Sequence, residues 1–153
     1  MPDFCRNQQE CAVRRAEFRA RAGVRFMPEM KIPDGAALPP RALFIKRETP
    51  CRVADGGIYQ TTPGMYFLRW ELHFISNGFY PSRVTLEING GQVLGEALSY
   101  GGDICGGAVF HARIEDRLML VNRSGGVLRL QPVVIESAGA EREVYGIIEL
   151  RRY

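Results

Sequence analysis

Lysine, histidine and tryptophan are scarce in this chain, and long apolar runs are missing. Lysine occurs at Lys31 and Lys46, histidine at His73 and His111, and tryptophan only at Trp70. Without an unbroken run of about 18 apolar residues, no helix is expected to insert into a membrane. No apolar segment of the signal-peptide kind comes after Met1, so we expect synthesis in the cytoplasm without a classical signal peptide. Cys5, Cys11, Cys51 and Cys105 form neither a CxxC pair nor a zinc-knuckle spacing, so the sequence carries no redox or structural-zinc signature. Four thiols would suffice for two disulfides. Thiols are nevertheless expected, because 153 residues can bury a core without covalent staples. Neither a Walker lysine after a glycine-rich loop nor a Gly-X-Y repeat is present, so the sequence signals neither a phosphate-binding loop nor a collagen stalk.

The basic residues are nearly all arginine, whose planar fork suits paired contacts with carboxylates. Residues 1–31 hold seven basic and four acidic side chains, a net of +3, which leaves 13 of each sign in the rest. A neutral body lacks the basic face of a nucleic-acid binder, so none is expected as a partner. Residues 1–40 read as a basic, irregular or partly helical arm. One short helix is expected over 10–22, and Pro28, Pro33, Pro39 and Pro40 break regular structure in the remainder of the arm. A domain is expected over 41–153, and deletion of residues 1–38 is expected to leave it folded.

From residue 42 onward, short alternating or apolar runs are separated by glycine and asparagine turns. The candidate strands are 42–48, 51–54, 57–61, 65–76, 83–89, 92–100, 108–114, 117–123, 127–137 and 143–152. This spacing indicates an all-β sandwich or barrel. Asn89-Gly90-Gly91 is a strong hairpin signal, since these residues tolerate positive φ. The Gly-Gly pairs at 56–57, 101–102, 106–107 and 125–126 are further candidate turns.

The stretch GMYFLRWELHF separates cleanly into two faces, because strand side chains alternate. Tyr66, Leu68, Trp70, Leu72 and Phe74 form an expected core face, each burial contributing about 1.5–3 kcal/mol. The indole N–H of Trp70 needs a partner there. Phe67, Arg69, Glu71 and His73 share the other face with Met65. That face can meet solvent, a ligand or another copy of the chain, where Arg69 would pair with a neighbour's Glu71. In the last strand Val144, Gly146, Ile148 and Leu150 alternate with Tyr145, Ile147, Glu149 and Arg151. A strand apolar on both sides requires cover on both, and another subunit can supply it.

The motifs Pro63-Gly64-Met65-Tyr66, Leu120-Val121-Asn122-Arg123-Ser124-Gly125 and Gly146-Ile147-Ile148-Glu149-Leu150 occur in an order and spacing that resemble the C1q/tumour-necrosis-factor superfamily. More narrowly, the chain looks like bacterial C1q-like domains at the tips of collagen-like spore-surface (exosporium) filaments. The resemblance covers about residues 42–152. It implies a ten-stranded antiparallel jelly-roll sandwich assembled as a homotrimer. It places Phe67, Arg69, Glu71, His73, Val144, Ile148 and Leu150 at the trimer interface, and Tyr145 and Ile147 in the core. Alternation alone sends Glu149 and Arg151 outward, which conflicts with that assignment. Glu115-Asp116-Arg117 stands where the family usually has a glycine-aspartate turn.

The expected function is a non-enzymatic homotrimeric structural head, deposited on a spore surface and built into a larger surface assembly. The alternative is a jelly-roll module that binds a glycan or receptor, for which Tyr59, Tyr80, Tyr100 and Tyr153 are candidate aromatic contacts. A metal-dependent enzyme is the third reading and would need His73 or His111 beside an acid or a metal. No cofactor is implied, and neither catalytic nor metal-ligating residues are assigned. Asn122-Arg123-Ser124 fits a glycosylation sequon but is read as a turn.

Overall fold

The structure is a computed structural model and describes residues 27–47, 51–75 and 81–153. The helix expected over 10–22, Cys5, Cys11 and Tyr80 lie outside those residues. Among the described residues thirteen strands form. The first seven are β1 (Met30–Ile32), β2 (Leu43–Arg47), β3 (Cys51–Ala54), β4 (Gly57–Gln60), β5 (Gly64–Ile75), β6 (Ser82–Ile88) and β7 (Gln92–Ser99). The remaining six are β8 (Gly102–Ala112), β9 (Arg117–Asn122), β10 (Leu128–Leu130), β11 (Val133–Ser137), β12 (Ala140–Val144) and β13 (Gly146–Arg152).

The described residues are all-β, with two curled sheets around one core and a separate two-stranded sheet of β11 and β12. One sheet runs β1-β10-β5-β13-β2, with β8 on the other edge of β5; the second runs β3-β4-β9-β6-β7. The long strand β5 organises the first sheet. It binds β8 along Gly64–Phe74 on one edge, and β13 and then β10 on the other. Tyr66, Leu68, Trp70, Leu72 and Phe74 point inward from β5 and are buried with Val84, Leu86, Leu118 and Leu120 of the second sheet. The arrangement differs from the expected ten antiparallel strands in number and in one pairing. β2 runs parallel to β13, aligning Leu43 with Gly146 and Leu150 with Arg47.

The last strand adopts a different face assignment from the one the resemblance implied. Ile148 lies opposite Trp70 and Leu150 opposite Leu68, so both face the core and are buried there instead of at an outer interface. Ile147 and Glu149 lie opposite Glu71 and Arg69, on the outer face. Alternation within β13 therefore decides the conflict over Glu149. Alternation fails one residue earlier, because the chain bends at Tyr145 between β12 and β13. Tyr145 enters the main core, whereas Val144 joins Val133 and Ile135 in a satellite cluster against Phe44 and Ile147. The hairpin of β11 and β12 thus covers the outer apolar patch of β2 and β13. The second cover, expected from another subunit, comes from the same chain.

Two glycine positions differ from the turn reading, for steric reasons. Gly106 and Gly107 lie inside β8, with Gly106 opposite Trp70. A Cβ on Gly106 would stand 2.2 Å from Cζ2 of Trp70, so only glycine leaves room for the indole. On β7, a Cβ on Gly95 would stand 3.0 Å from the Gly107 carbonyl oxygen. This marks a close approach of the two sheets, although no ladder joins β7 to β8. The hairpin at 89–91 forms where expected, with Asn89 at φ 54° and Gly90 at φ 78°. Glu115 takes φ 66°, a left-handed conformation that suits the glycine usual in the related turn.

The boundary at residue 40 divides packed structure. β1 pairs with β10, while Ala37 bridges Val121. Leu38 N–H donates to the Leu120 carbonyl at 2.8 Å, and Asn122 N–H donates to the Ala36 carbonyl at 3.0 Å. Asn122 is wholly buried, and its Nδ2 donates to the carbonyls of Ile32 at 2.9 Å and Gly126 at 2.8 Å. A glycan could not be attached there without extracting this side chain from the fold. Packed structure therefore begins before residue 40, since residues 35–38 complete the edge that β4 leaves uncovered on β9 and β1 extends the other sheet at β10.

Candidate functional site

The outer face of β5 is a set of intrachain contacts. Arg69 Nη2 lies 3.3 Å from Glu149 Oε2, replacing the intermolecular pairing with Glu71 that the sequence suggested. His73 Nδ1 lies 2.8 Å from Asp103 Oδ1 across the β5–β8 ladder. Phe67 is only 4% exposed, and the Arg151 guanidinium sits 4.7 Å from its ring centroid. Arginine over an aromatic face is attracted by the ring quadrupole while it shields the ring from water. Met65, at 42% exposure, is the large apolar side chain of this face most open to solvent among the described residues. Glu71 and His73 are half-buried, Ile147 packs under the β11–β12 hairpin, and Val144, Ile148 and Leu150 are buried within the protomer. The proposed interface residues are therefore dispersed between an outer face, a satellite cluster and the core.

Among the described residues, no three His, Cys, Asp or Glu side chains gather where a metal ion could be held. His111 sits opposite Met65 at the exposed end of β8. Cys51 and Cys105 lie on different sheets, in β3 and β8. Tyr59 lies under Arg52 at 4.2 Å, while Tyr100 and Tyr153 are exposed. No helix among the described residues is long and apolar enough to cross a membrane.

Sequence reasoning missed the ion pair on the second sheet. Glu87 in β6 is 2% exposed and faces away from the main core. Arg123 Nε and Nη2 donate to its two oxygens, each at 2.9 Å, and Thr85 Oγ1 donates at 2.5 Å. The bidentate contact holds the turn after β9 against β6. The Arg123 hydrogen bonds lower the Glu87 pKa against the opposing effect of burial. Ionised Glu87 therefore favours the folded state, and this contribution is present above the ordinary carboxylate value of 4.5. It is lost as pH falls through the depressed folded value. Relative to Glu87→Gln, the wild type should gain stability as pH rises through this acid range, as measured by urea unfolding at each pH. A constant difference across the range would remove the ion pair as its source. The sequence hint was the polar series Arg83, Thr85 and Glu87 on one strand face; the partner in a distant turn left none.

The concave site lies where β7 and β8 diverge beyond Gly95. It has a volume of about 540 Å³, with Ile88, Leu94, Val109 and Phe110 in its walls. Polar groups come from Asn89 and Gln92 at the β6–β7 turn, and from His111, Arg113 and Asp116 at the β8–β9 turn. Asp116 joins the two turns. Its Oδ1 accepts from Asn89 Nδ2 at 2.9 Å, and its Oδ2 from the Arg113 N–H at 2.7 Å. Asn89 Oδ1 accepts in turn from the Arg117 N–H at 2.9 Å. The Arg113 N–H and then the Asn89 amide depress the Asp116 pKa, so the carboxylate is ionised at neutral pH. Arg113 and His111 also act electrostatically on the Asp116 carboxylate and lower its pKa, and Gln92 lines the cleft beside them. The result is a half-open cleft with a rim locked by Asp116 and Asn89 and a lining more polar than apolar. Its volume lies within the ~300–1,000 Å³ typical of small-ligand sites.

No protein-family model matches the sequence, and no curated protein matches it. Among solved structures the chain is similar to the crystal structure of murine APRIL at pH 8.5, with 15% sequence identity and a TM-score of 0.46, over 68% of this chain and 92% of that one.

Proposed function

We propose that this chain is a non-catalytic, jelly-roll-like binding module whose ligand occupies the cleft between β7 and β8, a glycan being the favoured class. The observation that carries this reading is the gathering of Gln92, His111 and Arg113 around a cleft whose rim is already fixed by Asp116 and Asn89. Such a site is largely formed before binding, so little ordering free energy is needed there. An NMR titration of the full chain with a library of oligosaccharides tests it. Amide shifts should cluster at 88–94 and 109–116. Saturable binding elsewhere, or none across the library, would sink this assignment.

Self-association as a homotrimer is a second reading, favoured by the exposure of Met65 beside Arg69 on the outer face of β5. Light scattering in dilute solution should then give about three times 17.2 kDa. Arg69→Glu should lower that mass more than Arg83→Glu, because Arg83 lies on the other sheet with Glu96 as its partner. A persistent single-chain mass would remove this reading and leave the cleft untouched.

A further inference from the structure

We infer that the cleft between β7 and β8 takes an N-acetylated amino sugar, such as an N-acetylglucosamine unit, whose acetamido group bonds to the open backbone edge of β8. This rests on the cleft being the ligand site and adds the ligand's chemical class. The direction of the β8 backbone follows from its partner strand. The carbonyls of Met65 and His73 accept from the Tyr153 and Gln131 N–H groups, each at 2.8 Å, on the edge of β5 that binds β13 and β10. In an antiparallel ladder a residue sends its N–H and C=O to one side, and the next residue sends both to the other. The even-numbered residues of β5 therefore bond to β8, Tyr66 with Phe110 and Gly64 with Ala112. Val109 and His111, which flank Phe110, direct N–H and C=O away from β5 and toward β7. The Gly107 carbonyl does the same, and it is the atom that Gly95 of β7 approaches. No backbone hydrogen bond joins β8 to β7 among the described residues. The N–H and C=O of Val109 and His111 thus face the cleft without a backbone partner there.

A secondary amide is planar and trans, so its C=O and N–H point in opposite directions. A cleft between two strand edges offers partners on both sides. The acetamido C=O accepts from a β8 N–H, and its own N–H turns toward β7, whose edge away from β6 is also open. The acetyl methyl group lies on the apolar wall at Leu94. The ring hydroxyls both donate and accept, and the cleft has groups of both kinds. Asp116 keeps lone pairs beyond the two hydrogen bonds it accepts, while Gln92 and Arg113 donate. The ligand needs no net charge, because Arg113 already lies in the field of the Asp116 carboxylate. An extended peptide also carries amides, but the cleft is bounded along the strands. Gly95 closes on Gly107 at one end, and the Asn89–Asp116 hydrogen bond ties the two turns at the other. The stretch from Val109 to Ala112 spans only ~13 Å, which suits one or two sugar rings better than a strand that must enter and leave.

The test uses the full chain and calorimetric titration with three trisaccharides: triacetylchitotriose, its deacetylated glucosamine form and cellotriose. The acetylated ligand should bind about tenfold more tightly than either of the others, as expected when the hydrogen bonds of one amide are lost. The backbone contact has its own readout. In NMR spectra of the acetylated complex, the amide proton of Val109 or His111 should shift downfield and exchange more slowly with solvent. Cellotriose should produce neither change. Equal affinities for the three sugars, with shifts still clustered at 88–94 and 109–116, overturn the inference but leave the cleft as the binding site. Acetyl-dependent binding that leaves both amide protons unaltered also overturns it. N-acetyltrialanine amide supplies amides without a sugar, and tighter binding by this peptide overturns the ligand class. Failure of every saccharide removes both readings.

Discussion

Alanine at Gly106 is expected to destabilise the domain by about 3 kcal/mol, the upper end of the usual cost of overpacking a core. The added methyl group would enter the volume of the Trp70 ring system, with three ring atoms within 2.6 Å. Neither partner can retreat easily. Gly106 is held in the ladder between β5 and β8, and Trp70 is completely buried. Denaturant unfolding should show a lower midpoint with little change in slope, because the same surface is exposed on unfolding. A second substitution separates this steric cause from a general intolerance of β8. Trp70→Phe removes the ring atoms nearest the new methyl group. It also removes an indole N–H that is buried without a hydrogen-bond partner among the described residues. The double variant Gly106→Ala/Trp70→Phe should therefore be more stable than Gly106→Ala alone. Independent, additive losses in that cycle would show that the two positions do not compete for space.

Removing residues 1–40 should abolish cooperative unfolding. This reverses the sequence-based expectation for a 1–38 deletion, because Ile32 and Leu38 are both buried in the main core. Each large-to-small change at such positions costs about 2–5 kcal/mol. Whole domains are stable by only about 5–15 kcal/mol. The deletion also takes away the acceptor for Asn122 Nδ2 at Ile32 and the donor to the Leu120 carbonyl at Leu38. The double variant Ile32→Ala/Leu38→Ala keeps the chain length and tests the packing contribution alone. It should unfold at a much lower denaturant concentration than the wild type. A truncated chain that still melts cooperatively near the wild-type temperature would show that β1 and the segment after it are dispensable.

The arm boundary was hidden from sequence reasoning for a physical reason. Prolines and short apolar fragments between 28 and 40 resemble a linker, because they lack any sustained period. Their order comes from partners far along the chain: Val121 for Ala37 and Leu130 for Met30. The same limitation affected the cleft. Gln92 opens β7 and Arg113 follows β8, each beside a turn that looks ordinary, and they become a site only when β7 and β8 diverge. Asn89 and Asp116 showed themselves as turn residues, but their mutual hydrogen bond did not.

By itself the sequence determined the all-β class, the turn at 89–91 and the burial of Tyr66, Leu68, Trp70, Leu72 and Phe74. These depend on local period and backbone sterics, which short stretches of sequence carry. Only the tertiary structure decided what covers the second face of the final strand, which carboxylate Arg69 meets and why Gly106 must be glycine. Those outcomes depend on which distant side chains are brought together, and on whether the chain bends before a strand, as it does at Tyr145. A single bend there reverses the parity of alternation and turns an apparent subunit interface into the protein's own interior.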